Sequence, residues 1–139
     1  MNYASPWKRL GAGIIDIVIS FPVGLILGLV LAPVLARNAI DQQHLESQLN
    51  GIGYLAGWIY FATMESSNLQ ATLGKMAFGL KVADIEGNRI GFWKASGRHW
   101  GKLISALLLL IGFVMIFFTQ KNQGLHDQMA GCIVLDKRV

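Results

Sequence analysis

The longest apolar run, from Leu10 to Ala36, constrains the fold of this chain more than any other feature. It has 27 residues and a single charged side chain, that of Asp16. About 20 apolar residues are enough for a helix to cross a bilayer, and the apolar part of a signal peptide is shorter, at about 7–15 residues. The run therefore predicts a retained transmembrane helix, in which Pro22 and Pro33 cause a kink or an early end.

Two further apolar segments, residues 49–64 and 103–119, follow the first at 10–36. Hydrophobic residues make up 53% of the chain and charged residues 14%, whereas a soluble domain carries about 25% charged residues. This composition excludes a disordered chain and argues against a soluble enzyme. With 139 residues, the sequence predicts one mainly α-helical membrane domain, residues 1–139, with three hydrophobic helical segments.

The distribution of basic residues predicts the topology. The connector, residues 66–102, carries six lysines and arginines, whereas Arg37 alone lies in the loop 37–48. Basic loops stay cytoplasmic, so the N-terminus and the connector should lie inside and the loop 37–48 outside. The third segment is interrupted by Gly112. It either spans the bilayer, which puts the C-terminal tail outside, or re-enters with protein covering the bend, which keeps the tail inside.

The connector also contains a strand-like pattern. The segments Lys81–Ile85 and Arg89–Phe92 flank the turn Glu86-Gly87-Asn88, which predicts a small β-hairpin at the membrane surface. Two strands alone are marginally stable in water. The hairpin therefore needs a covering helix or a third strand, for which the candidate is Cys132–Leu135.

The end of the connector predicts an amphipathic helix. Lys94, Arg98 and Lys102 follow each other at intervals of four residues, with Trp93 and Trp100 on a neighbouring face. Cations and indoles in this arrangement are typical of an interfacial helix that binds anionic lipid headgroups. A simply solvated helix face is the alternative.

Asp16 is the first candidate for a functional residue. A carboxylate inside a membrane helix is costly and is a functional-site hypothesis by default, although a buried charge that only fixes helix packing is the alternative. Arg9 lies on the same helix face, but about 10.5 Å away along the axis. Each residue therefore needs a partner from another segment.

Small residues predict close helix packing. Gly24 and Gly28 form one GxxxG pattern, and Gly53 and Gly57 form another; such pairs let helices approach closely. A chain with so few segments would leave Asp16 and these glycines facing lipid. We therefore expect a homo-oligomer, or contact with another membrane protein.

The sequence contains no pattern for enzyme chemistry. It has no nucleophile–base arrangement and no phosphate-binding loop, and His126 and Cys132 lack partners at zinc-ligand spacing. We therefore expect no enzyme, no cofactor and no metal. In a membrane protein the basic excess indicates anionic lipid rather than nucleic acid as a partner.

Several ordered motifs resemble the RDD family of small integral membrane proteins, which is named for one arginine and two aspartates. The matching positions are Arg9-Leu10-Gly11-Ala12-Gly13-Ile14-Ile15-Asp16, Gly74-Lys75 with Gly79-Leu80-Lys81-Val82 and Asp84, Arg98, and the C-terminal signature 123–135 with Gln123-Gly124-Leu125-His126-Asp127 and Ala130-Gly131. The resemblance covers nearly the whole chain. One departure is Cys132, where the family pattern has threonine.

The resemblance implies that Asp127 is the second aspartate. Opposite charges then suggest Arg9–Asp127 and Arg98–Asp16 as ion pairs, with His126 as a further charge partner. Some family members are regarded as monovalent cation/proton antiporters, and others resemble accessory membrane modules. We therefore expect a bacterial plasma-membrane protein that exchanges Na⁺ or a similar cation for H⁺ at Asp16; the alternative is a non-transporting scaffold that binds other helices and anionic lipid.

Overall fold

The computed structural model describes residues 1–107 and 114–138. Helix α1, Pro6–Leu35, begins with proline in its first turn, where the missing N–H would have no helical partner. It continues through Pro22 and Pro33, so an early end at either proline is wrong. Helix α2, Gln42–Ser66, follows a short turn, and its N-cap Asp41 accepts a hydrogen bond of 2.7 Å from the backbone N–H of His44.

Helix α1 carries its apolar side chains on the outside. Within it, Ala12 and Asp16 are buried, whereas Ile17, Phe21 and Leu29 are exposed. Among the described residues, α1 alone is long and apolar enough to cross a membrane. An outward-facing apolar surface of this length fits lipid rather than a soluble core, and the three predicted spans are not confirmed.

The remaining elements are short, and most of them pack around the N-terminal half of α1 and the C-terminal half of α2. They are α3 (Leu73–Ala77), β1 (Leu80–Asp84), α4 (Phe92–Leu107), a 3₁₀ turn (Met115–Phe117), α5 (Leu125–Met129) and β2 (Cys132–Asp136).

The third apolar segment does not form one continuous described element. Residues 103–107 are the end of α4, and the predicted bend at Gly112 lies outside the described residues. The Phe117 ring contacts the Trp7 ring in the first turn of α1, with centroids 5.5 Å apart. The end of the segment therefore lies at the same end of α1 as the N-terminus, whereas three full spans would place it at the opposite end.

The sheet differs from the predicted hairpin. Strands β1 and β2 are antiparallel, with Leu80 opposite Asp136, so Cys132–Leu135 is confirmed as a strand. The hairpin between Lys81–Ile85 and Arg89–Phe92 is wrong, because Phe92 begins α4 and a tight turn closes on Asp84, whose N–H donates to the Asn88 carbonyl at 2.9 Å. The entire β2 strand is buried, so its pairing with β1 places apolar residues of both strands in the core.

The core lies where the sheet meets the helices. Leu80, Val82, Cys132 and Val134 are buried there, and partly buried aromatic rings, including that of Trp58, pack against them. The N-terminal segment joins the other edge of β2 through an isolated bridge between Tyr3 and Leu135, next to which the Ala4 N–H donates to the Val134 carbonyl at 2.8 Å. The N-terminus, connector and C-terminal signature thus share one end of the helices, and the predicted topology requires this of the N-terminus and the connector.

Candidate functional site

Asp16 is held by the start of α3. The Thr72 hydroxyl donates to Asp16 Oδ2 at 2.6 Å, and the backbone N–H of Gly74 donates to Oδ1 at 2.8 Å. Asp16 forms no ion pair with a basic side chain of the described residues. The predicted pairing with Arg98 is therefore wrong, because Arg98 is bound to other carboxylates.

Gly74 permits this docking because it has no side chain. A Cβ added at this position would lie 2.1 Å from the Ala12 carbonyl oxygen and 2.8 Å from Asp16 Cγ, and neither distance is possible without movement. Glycine thus lets the α3 backbone reach the carboxylate directly.

Arg98 bridges α2 and α5. Its side chain is almost fully buried, with Nε donating to Asp127 Oδ1 and Nη1 donating to Glu65 Oε2, both at 2.6 Å. Charge-assisted hydrogen bonds of this kind are stronger than neutral ones, so Arg98 fixes two buried carboxylates at once.

Glu65 is the site residue that sequence reasoning missed. It directly follows the second apolar segment, residues 49–64, where a charged residue is ordinary at a membrane boundary. A helical signal was present, because Glu65 lies seven residues after Trp58 and therefore on its face. Trp58 turns this face toward α4, where its indole N–H donates to the Ser96 hydroxyl at 3.0 Å.

The predicted pairing of Arg9 with Asp127 is confirmed. One Arg9 terminal nitrogen binds the Asp127 carboxylate and the other donates to the Asn122 carbonyl. Burial raises the pKa of Asp127, but the positive charges of Arg98 and Arg9 outweigh it and hold that pKa well below its usual range. Asp127 is therefore ionised.

Two lysines also reach Glu65. Lys75 Nζ pairs with Glu65 Oε1, and Lys102 Nζ lies 3.9 Å from the same oxygen and 4.8 Å from the Phe61 ring centroid. Burial lowers the pKa of Lys75 to about 7 although Glu65 opposes this effect.

These ion pairs form a single group, which we call the charge cluster. Its side chains are buried or largely buried, with 25% exposure for Lys102 and 12% or less for the others. Basic groups outnumber acidic ones in it. Its members are Arg9, Lys75, Arg98 and Lys102 with Glu65 and Asp127.

His126 is not a charge partner. Its Nε2 lies 3.4 Å from Asp127 Oδ1, but burial lowers the pKa of His126 to about 3 against the attraction of Asp127. The imidazole is neutral at physiological pH, and its Nδ1 lies 3.4 Å from the Ser105 hydroxyl.

The predicted lipid-facing stripe is split by the fold. Trp93 is 80% exposed and Trp100 44%, and Lys94 is exposed. Arg98 is wrong as a headgroup ligand because it is buried between two carboxylates, and Lys102 turns toward Glu65.

The predicted close packing at the glycine pairs does not occur among residues 1–107 and 114–138. A Cβ added at any of the four would meet no atom of these residues within 4 Å. Three of them line a cleft of about 460 Å³ between α1 and α2. The four are Gly24, Gly28, Gly53 and Gly57.

The burial of Asp16 also weakens the sequence argument for a homo-oligomer. Asp16 is 5% exposed within one chain, so no second copy is needed to cover it. Ser20, Gly24 and Gly53 are exposed, and Gly28 and Gly57 are partly exposed.

Comparison with known proteins identifies the family of this chain. The sequence model of the RDD family matches residues 3–131. The chain belongs to the RDD family. The resemblance seen in the sequence is thus confirmed. Arg9 and Asp127, the residues that the resemblance implies are the family's arginine and second aspartate, pair with each other in this structure.

Two relatives from Bacillus subtilis (strain 168) match most of this RDD chain. The uncharacterized protein YxaI is 29% identical, with 87% of this chain and 89% of YxaI covered. The uncharacterized membrane protein YteJ is 26% identical, with 99% of this chain and 83% of YteJ covered. No solved structure matches. The family and the naming of YteJ support a membrane protein.

Proposed function

We propose that this RDD protein exchanges a monovalent cation, Na⁺ or a similar ion, for H⁺ across the membrane, with Asp16 as the binding carboxylate. One observation supports the proposal. Asp16 is buried on the membrane helix and no basic side chain of the described residues pairs with it, whereas Glu65 and Asp127 are each bound by at least two.

The chemistry follows from competition for one negative charge. A buried carboxylate is stabilised either by a proton or by a cation, so the two exclude each other. Thr72 and Gly74 each occupy one lone pair of Asp16, and a carboxylate accepts about four hydrogen bonds in total. The two donors therefore orient the group and leave acceptor capacity for an ion.

The test is cation-driven proton flux in proteoliposomes with an internal pH dye. Wild type should move protons when Na⁺, K⁺ or Li⁺ is added outside, and Asp16→Asn should fall to the protein-free background. Glu46→Gln is the matched control because Glu46 is an exposed acid on α2 and should keep wild-type flux. The proposal is contradicted if Asp16→Asn keeps the wild-type flux and thermal melting shows that the variant is folded.

A non-transporting scaffold is the second candidate function. The open cleft at Gly24, Gly28 and Gly53 favours it, because small residues that no other described residue packs against closely can admit a helix of a second copy or of another membrane protein. Exposed Trp93 and Lys94 would bind anionic lipid. Under either function we propose no enzymatic activity and no cofactor.

These two functions give different results in the same preparation. If the protein is a scaffold, proton flux should not depend on cations. The variants Gly24→Cys and Gly28→Cys should form crosslinks between two copies, and the protein should associate more tightly with phosphatidylglycerol vesicles than with phosphatidylcholine vesicles. Flux that depends on Asp16 favours exchange instead.

A further inference from the structure

Lys75 lies on α3, the short helix that contacts both Glu65 and Asp16. Its ammonium group binds Glu65 on α2, and the residue before it, Gly74, donates its N–H to Asp16 on α1. From α4, Arg98 and Lys102 bind the same Glu65 carboxylate. The short helix α3 thus connects Asp16 to a lysine that shares its only described carboxylate with two other cations.

We propose that Lys75 is the group that carries the exchanged proton. It releases H⁺ when a cation binds Asp16 and takes H⁺ up again when the cation leaves. This inference rests on the proposed function and revises one step of it: Asp16 keeps its negative charge throughout the cycle, and the proton that leaves when the cation binds comes from Lys75 instead of Asp16.

Charge balance supports this assignment. Together with Asp16, the charge cluster contains four basic and three acidic groups, a net charge of +1. A monovalent cation at Asp16 would raise the buried charge to +2. If the Lys75 N–H bond breaks and the nitrogen keeps the electron pair, the ammonium becomes a neutral amine, H⁺ leaves to water and the charge returns to +1. One proton leaves for each cation that enters.

Lys75 is the best suited of the four basic groups. The guanidinium groups of Arg9 and Arg98 do not lose a proton in proteins, whereas a buried lysine changes its pKa readily. Lys102 is more exposed than Lys75 and lies farther from Glu65. The pKa of Lys75, lowered by burial to about 7, allows both protonation states near neutral pH.

The place of Lys75 in the chain, directly after Gly74, couples it to a cation bound at Asp16. Adjacent α-carbons are about 3.8 Å apart, so a change at Asp16 acts directly on the backbone that carries Lys75. A charged Lys75 also holds α3 against Glu65, because this ion pair joins α3 to α2.

The inference is tested by two readouts in the full-length protein. In detergent, ¹³C-labelled lysine methylene signals are followed by NMR from pH 5 to 10, and in proteoliposomes Na⁺-driven proton flux is measured over pH 6–8.5. The variant is Lys75→Arg, which keeps the charge but cannot release the proton. Lys137→Arg is the matched control, since Lys137 is an exposed lysine outside the charge cluster.

We expect one lysine signal to titrate near pH 7 in wild type and in Lys137→Arg, and to be absent in Lys75→Arg. Flux in Lys75→Arg should fall by at least about 100-fold, as for loss of a positioned proton-transfer group, while Lys137→Arg keeps the wild-type rate and pH profile.

Three results would overturn the inference. If no lysine of the wild type titrates between pH 6 and 8, it is wrong whether or not the variant folds. If wild type and Lys75→Arg exchange ions with the same pH profile, the inference fails and the exchange function stands. If wild type moves no protons with any monovalent cation, the proposed function fails, and the proton-carrier role fails with it.

Discussion

Replacing Gly74 with alanine should destabilise the docking of α3 on α1. The added Cβ would lie 2.1 Å from the Ala12 carbonyl oxygen and 2.8 Å from Asp16 Cγ. The carbonyl belongs to the backbone of α1 and cannot rotate away as a flexible side chain would. The start of α3 must therefore withdraw, which breaks the 2.8 Å hydrogen bond from the Gly74 N–H to Asp16.

The size of the effect follows from these two losses. Forcing an extra carbon into a packed contact costs about 1–3 kcal/mol, and a lost hydrogen bond to a charged group costs about 1.5–3 kcal/mol. We expect a total loss of about 2.5–6 kcal/mol in the free energy of unfolding. At roughly 4 °C per kcal/mol, the melting temperature should fall by about 10 °C or more.

The assay is thermal unfolding in detergent, with Gly97→Ala as the matched control. Gly97 lies inside α4, and a Cβ there meets no atom of the described part of the chain within 4 Å. Alanine is favoured over glycine in a helix by about 1 kcal/mol, so this control should melt at or above the wild-type temperature. If Gly74→Ala melts with wild type, the close approach of α3 to Asp16 is refuted.

Three further predictions concern the same end of the molecule. Asp127→Asn should lower the free energy of unfolding by about 3–5 kcal/mol, because it leaves buried arginines without that carboxylate. Adding Arg9→Gln to this variant should lower it little further. Additive losses in denaturant unfolding would show that Arg9 and Asp127 are not coupled. Trp58→Phe should cost about 0.5–1.5 kcal/mol by removing the 3.0 Å bond to Ser96, and melting unchanged from wild type in both Trp58→Phe and Ser96→Ala would contradict that bond. Because burial lowers the pKa of His126 to about 3, the unfolded chain binds a proton below about pH 6.5 that the folded chain does not, so stability should fall with pH from 6.5 toward 3 by up to about 1.4 kcal/mol per pH unit. His126→Gln should flatten this dependence in melts recorded at several pH values, and an unchanged slope would place the titrating group elsewhere.

The sequence by itself determined the membrane helix and the RDD motifs. A run of apolar residues as long as Leu10–Ala36 can form few structures other than a membrane-spanning helix. Helix α1 could therefore be predicted from the local sequence pattern alone. The pairing of Arg9 with Asp127 was also predictable, because a charge at the edge of hydrocarbon needs an opposite charge and the motifs of the family offer few choices.

The partner of Asp16 was decided only by the tertiary structure. Every residue except proline has a backbone N–H. The donor at Gly74, 58 positions from Asp16, therefore cannot be recognised in the sequence by looking for charged residues. Thr72 is equally ordinary by sequence. Reasoning from charge alone therefore chose Arg98, which the fold commits to other carboxylates.

The same reason accounts for the sheet and for Glu65. Both strand-like segments at residues 81–85 and 132–135 were visible, but local pattern could not rank β2 above the nearer return arm, because that choice depends on which pairing buries more apolar surface in three dimensions. Glu65 lies at the end of an apolar segment, where a charge is expected at a membrane boundary. Only the packing of α4 against α2 brings Arg98 to within 2.6 Å of it and makes that boundary residue part of the charge cluster.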